Sequence, residues 1–299
     1  MTSPAESQAG VRYASCGDVE LAYETFGVAS NPPVVLVMGL ATQMLGWPDE
    51  FCQTLADNGF HVVRFDNRDI GLSTHLDDAG MPDLSPLFVG APITSATYTL
   101  ADMADDTIRL IDAIGLDRIH LVGASMGGMI AQEVALRHPE RLLSLTSIMS
   151  TTAPNVGPPT PEANAVLFSA PATSESEAAD RAVTVYRVIG SPGHPLDEVA
   201  LSARAKESFR RANDPAGVAR QLAAIHASGE RTERLRQLRV PTLVLHGEDD
   251  PLVQVDGGRA TAAAVPGARL VTWPGMGHDL PRGMWAEIIG EITAHAGPA

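Results

Sequence analysis

The stretch Ile119-His120-Leu121-Val122-Gly123-Ala124-Ser125-Met126-Gly127-Gly128 passes from an apolar run straight into a glycine-rich turn built round a serine. The apolar run, from Arg118 to Val122, reads as a strand buried on both faces. A helix opens near Met126, carries an apolar stripe from Met129 to His138 and is closed by Pro139. The turn itself matches Gly-x-Ser-x-Gly. By composition alone, about one unrelated chain in ten of this length would contain such a match, so the strand before it and the helix after it carry the weight. A turn this tight holds Ser125 in a strained backbone conformation, and side chains at positions 123 and 127 are expected to collide with the neighbouring helix and strand. The helix would aim its N-terminal N–H groups at any negative charge developing beside Ser125.

Outward from this turn the chain alternates strand and helix. Val19–Phe26 follows a Gly17-Asp18 turn and reads as one arm of a hairpin. Short apolar runs predict strands over 33–38, 61–65, 143–149, 242–246 and 268–272, and helical spacing predicts helices over 47–58, 102–114 and 285–295. Such alternation implies an α/β fold, a mostly parallel doubly wound sheet with helices on both faces. One segment breaks the rhythm. From Thr151 to Leu238 no strand is evident, and a proline-rich link leads into helical stretches near 162–170, 175–188, 197–212 and 216–227. The expected organisation is a core from 1 to 150, a helical cap from 151 to 238 inserted between core strands, and the rest of the core from 239 to 299.

A serine hydroxyl is a weak nucleophile until a base takes its proton. In this topology the acid and the base are expected after late strands, in the order serine, carboxylate, histidine. The predicted strand over 242–246 runs into Gly247-Glu248-Asp249-Asp250-Pro251, and the strand over 268–272 into Trp273-Pro274-Gly275-Met276-Gly277-His278. Both side chains therefore fall at carboxyl ends of strands, where open α/β sheets bind ligands. His278 is the candidate base. Among the three carboxylates Asp250 is preferred because Pro251 fixes the chain after it, with Asp249 as the alternative. Oxyanion stabilisation calls for two backbone donors. The N–H of Met126, next to the nucleophile, is one candidate; that of Leu40, in the loop after the 33–38 strand, is the other.

Bulk properties narrow the function class. The 299 residues are 44% hydrophobic and 19% charged, and the net charge of −15 argues against nucleic-acid binding, which depends on basic surface. Met1–Gly10 is polar and lacks the basic start and apolar run of a signal peptide, and no apolar run nears the roughly 20 residues of a membrane span, so a cytoplasmic location is expected. Cys16 and Cys52 are too few for a disulfide framework.

The sequence resembles α/β hydrolases over nearly its whole length, and more narrowly is similar to the aclacinomycin methylesterase group. The stretches that carry this are L-V-M-G-L (36–40), G-W-P-D-E-F (46–51), F-D-N-R-D-I-G-L-S (65–73), G-A-S-M-G-G (123–128), G-E-D-D-P (247–251) and P-G-M-G-H (274–278). The resemblance implies a triad of Ser125, Asp250 and His278, oxyanion donors at Leu40 and Met126, and structural hydrogen bonding by Asp66, Arg68 and Asp69. Many relatives have His-Gly where this chain has Met38-Gly39. The cap, and about twenty residues around Leu76–Ser95, show far weaker similarity, so substrate specificity does not carry over with the resemblance.

The expected activity is hydrolysis of a small to medium hydrophobic ester through an acyl-enzyme, with no metal and no organic cofactor. Candidate pocket residues are Met44, Trp47 and Met276 from the core and Phe168, Tyr186, Phe209 and His226 from the cap. Thioesterase, lactonase and cofactor-free perhydrolase chemistry use the same triad, and a ligand receptor on a hydrolase scaffold is the reading from a different class. The sequence leaves the oligomeric state open.

Overall fold

The computed structural model describes residues 10–297, so the polar start of the sequence, 1–9, lies outside the described residues. Eight strands build one sheet: β1 (Arg12–Cys16), β2 (Val19–Phe26), β3 (Pro33–Val37), β4 (His61–Phe65), β5 (Ile119–Ala124), β6 (Leu142–Ile148), β7 (Thr242–Gly247) and β8 (Arg269–Trp273). Their order across the sheet is β1-β2-β4-β3-β5-β6-β7-β8. β1 and β2 form an antiparallel hairpin closed at Gly17-Asp18, β2 pairs antiparallel with β4, and every other pairing is parallel. The strands read from the sequence are all present. β1, the second arm of the hairpin, has no run of its own to mark it, since exposed Tyr13 and Ser15 alternate with buried Ala14 and Cys16.

The central strands are buried on both faces, and their side chains divide between two cores with the period of two that a strand imposes. Val35, Val37, Ile119 and Leu121 point into one core. Val34, Leu36, Val122 and Ala124 point into the other. The first core is covered by α2 (Leu100–Ala113) and α3 (Met126–Arg137), the second by α1 (Asp49–Asp57) and α10 (Trp285–Ala296). Helix α2 begins two residues before the expected position because Thr99 caps it and Asp102, as the third helical residue, returns the bond to the Thr99 N–H. Among the described residues no helix is long and apolar enough to cross a membrane.

Between β6 and β7 the described chain contains α4 (Pro161–Leu167), α5 (Glu175–Ile189), α6 (Glu198–Arg211), α7 (Pro215–Ala227) and α8 (Thr232–Leu235), and no strand. Its two ends are held together at Arg231. The Arg231 N–H donates to the Thr152 carbonyl at 2.9 Å, and the guanidinium, 1% exposed, donates to the Thr151 carbonyl and Gln132. Burial lowers the pKa of that guanidinium to about 10. Two further buried arginines tie the insertion to the loop after β4. Arg211 pairs with Asp66 at 2.9 Å, and Arg220 grips Asp69 with two bonds of 2.7 and 2.8 Å. Arg68, between those two acids, forms a bidentate pair with Asp106 on α2. The structural hydrogen bonding expected of Asp66, Arg68 and Asp69 is therefore present, and it joins the insertion to the sheet.

Helix α9 (Asp256–Ala264) follows β7 and has no counterpart in the sequence reading. Gly257 and Gly258 in its first turn weaken any helical signal. Packing requires both: a Cβ at Gly257 would lie 2.9 Å from the Thr151 Cβ, and one at Gly258 would lie 2.5 Å from His246 Nδ1.

Candidate active site

Ser125 stands at the end of β5 with φ +57° and ψ −122°, a conformation that side-chain-bearing residues rarely adopt. Its N–H donates to the Ile148 carbonyl at 2.9 Å, and its carbonyl accepts from the Gly128 N–H and the Ser150 hydroxyl. The glycines on either side make this turn possible. A Cβ at Gly123 would overlap the Gly127 carbonyl in α3, and one at Gly127 would overlap the Val37 carbonyl in β3.

His278 lies in the loop after β8. Its Nε2 is 2.9 Å from the Ser125 hydroxyl oxygen and its Nδ1 is 2.7 Å from Oδ2 of Asp250. The His278 N–H donates to the Ile189 carbonyl at the end of α5, so the insertion holds this loop. Asp250, in the turn after β7, is 3% exposed. Its other oxygen accepts from the Leu252 and Val253 N–H groups, each at 2.9 Å. Burial alone would raise the Asp250 carboxyl. The bonded His278 and nearby His246 outweigh that and hold its pKa at about 2. The other two carboxylates of the turn face elsewhere: Glu248 accepts from the Thr272 hydroxyl and Asp249 from the Gly275 N–H. Asp250 is thus the one of the three that meets His278.

His246, the next-to-last residue of β7, also comes within 3.6 Å of Asp250. That distance is too long for a hydrogen bond. Its Nε2 is 2.7 Å from the Val253 carbonyl, which steadies the turn whose amides hold Asp250. The strand-end position of His246 gave no sign of this contact, because it depends on the turn folding back over four residues.

Gly39 runs alongside Ser125: a Cβ there would lie 2.9 Å from the serine Cβ and 3.3 Å from its hydroxyl oxygen. The next residue is Leu40. Among the described residues neither the Leu40 nor the Met126 N–H has an acceptor, which leaves both free to receive one.

The candidate pocket residues are scattered. Met44 is fully buried against Val11, Ala22 and Leu72; Trp47 and Met276 are fully buried in the α1–α10 core. On the insertion, Phe168 packs against Phe88 with the rings tilted by 54° and 5.3 Å between centroids, and Phe209 is half-buried. Tyr186 lines a cleft of about 440 Å³ shared with Ser191, His194, Asp249, Pro251 and Asp279, behind the acid and base loops. His226 is half-buried on α7, with its imidazole pKa lowered by burial. His75, in the loop after β4, is taken up by Asp214 at 2.8 Å and the Gly71 carbonyl at 3.0 Å. Asp69, His75 and Asp214 cluster closely enough to suggest a cation site. Arg220 already supplies the positive charge there, 2.7 Å from Asp69 and 3.2 Å from Asp214.

Known proteins resemble this chain over most of its length. Rhodomycin D methylesterase DauP of Streptomyces sp. (strain C5) is 29% identical over 306 residues, covering 93% of this chain and 95% of that protein. A putative carbamate hydrolase RutD of Pseudomonas syringae pv. syringae (strain B728a) is 27% identical, covering 84% of this chain and 88% of that one. The crystal structure of the enol-lactonase from Burkholderia xenovorans LB400 superposes with a TM-score of 0.73 at 22% identity, over 95% of this chain and 99% of that chain, a likeness of fold. The family model for the alpha/beta hydrolase fold matches residues 32–281. With a match over that span, and the strand-turn-helix, sheet order and interrupting helices described above, the chain belongs to the alpha/beta hydrolase fold family.

Proposed function

We propose that the protein is a serine carboxylic ester hydrolase acting on a small to medium hydrophobic ester, with residues 151–238 as a cap over the carboxyl ends of the strands. The observation that carries this reading is the unbroken chain of contacts Ser125–His278–Asp250, at 2.9 and 2.7 Å. In the proposed mechanism the Ser125 hydroxyl attacks the ester carbonyl while His278 Nε2 takes its proton. Asp250 accepts from His278 Nδ1–H, which fixes the tautomer and stabilises the imidazolium. The amides of Leu40 and Met126 receive the oxyanion; losing one such donor typically costs about 10²–10³ in rate. His278 then protonates the departing alcohol. Water, activated by the same imidazole, attacks the acyl-serine and releases the acid.

Similarity to a methylesterase over nearly the whole chain supports an ester substrate. Similarity to 3-oxoadipate enol-lactonase 2 of Acinetobacter baylyi, at 25% identity over 81% of this chain, makes a cyclic ester the second reading. Thioester and perhydrolase readings rest on the shared triad alone, and an intact triad counts against the receptor reading. A fluorophosphonate probe followed by a chain-length series of nitrophenyl esters, lactones and thioesters tests all of these. Labelling at Ser125 with multiple turnover is expected on wild type, and neither on Ser125→Ala. Full turnover by Ser125→Ala would overturn the reading, and labelling without turnover would favour a receptor.

A further inference from the structure

The loop that carries Leu40 is held from outside the core. Gly39–Thr42 is a turn closed by the Thr42 N–H on the Gly39 carbonyl at 3.3 Å. Its third residue, Ala41, is not glycine, yet has φ +58°. A positive φ at that position belongs to a type II turn, in which the peptide between the second and third residues is flipped relative to type I. Alanine disfavours this arrangement, so something must hold that peptide. The Ala41 N–H donates to Oε1 of Gln221 at 3.2 Å. Gln221 sits on α7 of the insertion, is 0% exposed, and is itself fixed by donating Nε2–H to the Arg68 carbonyl at 2.9 Å. Two residues along, Gln43 donates to the Ser208 and Ala212 carbonyls and accepts from Arg211, so α6 holds the other end of the loop.

We propose that Gln221 is a positioning residue for the oxyanion hole: it ties the strained Gly39–Thr42 turn to α7 through the Ala41 N–H and so fixes the backbone from which the Leu40 N–H projects. This rests on the esterase reading above. It makes the insertion part of the chemistry as well as of substrate selection. Without Gln221 the Leu40–Ala41 peptide keeps the Thr42 hydroxyl on its carbonyl, at 3.1 Å, but loses its tie to α7, and the turn can relieve the strain at Ala41 by shifting as a unit, Leu40 included.

The test compares Gln221→Met, which keeps length and loses both bonds, with Gln221→Asn, which is too short to reach Ala41, and Gln221→Glu, which still offers Ala41 an acceptor. kcat/KM is taken per site titrated with a fluorophosphonate, so a partly folded preparation does not distort it. Affinity is measured for a trifluoromethyl ketone, whose adduct with Ser125 places an oxyanion in the hole, and for the matching alcohol, which forms no adduct. Gln221→Met and Gln221→Asn are expected to lose tenfold or more in kcat/KM and in ketone affinity. Alcohol affinity should stay within about twofold, and Gln221→Glu should recover most of the loss. Unchanged ketone affinity, or equal losses for ketone and alcohol, would overturn the proposal. Turnover by Ser125→Ala would instead remove the esterase reading beneath it.

Discussion

Asp249 and Asp250 are neighbours in the chain, yet their carboxylates serve different loops: Asp250 accepts from the His278 imidazole at 2.7 Å, and Asp249 from the Gly275 N–H at 2.6 Å. One holds the His278 imidazole; the other ties down the turn that delivers it. Asp250→Asn should therefore lose about 10⁴ in kcat, because an amide no longer selects the imidazole tautomer. Asp249→Asn keeps an acceptor for Gly275 in an exposed position and should stay within a few-fold of wild type. Steady-state kinetics on the two variants checks this, and equal losses would mean that the roles are not divided in this way.

The same contact makes stability depend on pH in a definite direction. Asp250 is held at about 2 in the folded protein against an ordinary value of 3.8. A depressed carboxyl stabilises the fold above its unfolded pKa and loses that contribution as pH falls through the folded value. The difference corresponds to about 2 kcal/mol. Urea unfolding of wild type and Asp250→Asn should give a stability gap that is constant above pH 5 and narrows by about that amount between pH 4 and pH 2. A gap that widens as pH falls would contradict the assignment.

The buried arginines of the insertion offer a third test. Arg220, 1% exposed, neutralises Asp69, which is 0% exposed. Arg220→Met leaves that carboxylate buried and unpaired, which should cost about 3–5 kcal/mol. Adding Asp69→Asn removes the stranded charge, while the Leu76 N–H keeps an acceptor in the new side chain. The double variant should be more stable than the single Arg220→Met variant, as a double-mutant cycle by chemical denaturation would reveal.

These features differ in how far the sequence announced them. The parallel sheet and Ser125 were readable because burial on both faces leaves short continuous apolar runs, and the tight turn demands glycine at defined places. His278 followed from chain order and strand ends. The choice between Asp249 and Asp250 needed the loop's own fold, since both sit in one acidic turn. The links from Arg211, Arg220 and Gln221 to the loops at 39–44 and 66–69 join positions more than 140 residues apart. A single sequence gives no pattern for such pairs. The fully buried positions of Met44 and Trp47 could not be told from pocket positions by composition, since an apolar residue suits either.

Gly39 packs against Ser125 and Gly127 against the end of β3, and substitution by alanine should separate catalytic from structural damage. The φ of Gly39 lies outside the left-handed region, so an alanine there meets no backbone strain. Its Cβ would approach Ser125 Cβ at 2.9 Å, the Ala124 carbonyl oxygen at 3.2 Å and Ser125 Oγ at 3.3 Å, so the turn that carries Ser125 must give. At Gly127 the Cβ would overlap the Val37 carbonyl, part of the β3 backbone in the centre of the sheet. Backbone there yields only at a cost of about 1–3 kcal/mol or more. Gly39→Ala is thus expected to unfold within about 1 kcal/mol of wild type while losing at least tenfold in kcat. Gly127→Ala is expected to lose stability first, with activity following the folded fraction. Paired denaturation and active-site titration distinguish the two, and a Gly39→Ala enzyme with full kcat would show that the 39–40 segment does not constrain Ser125.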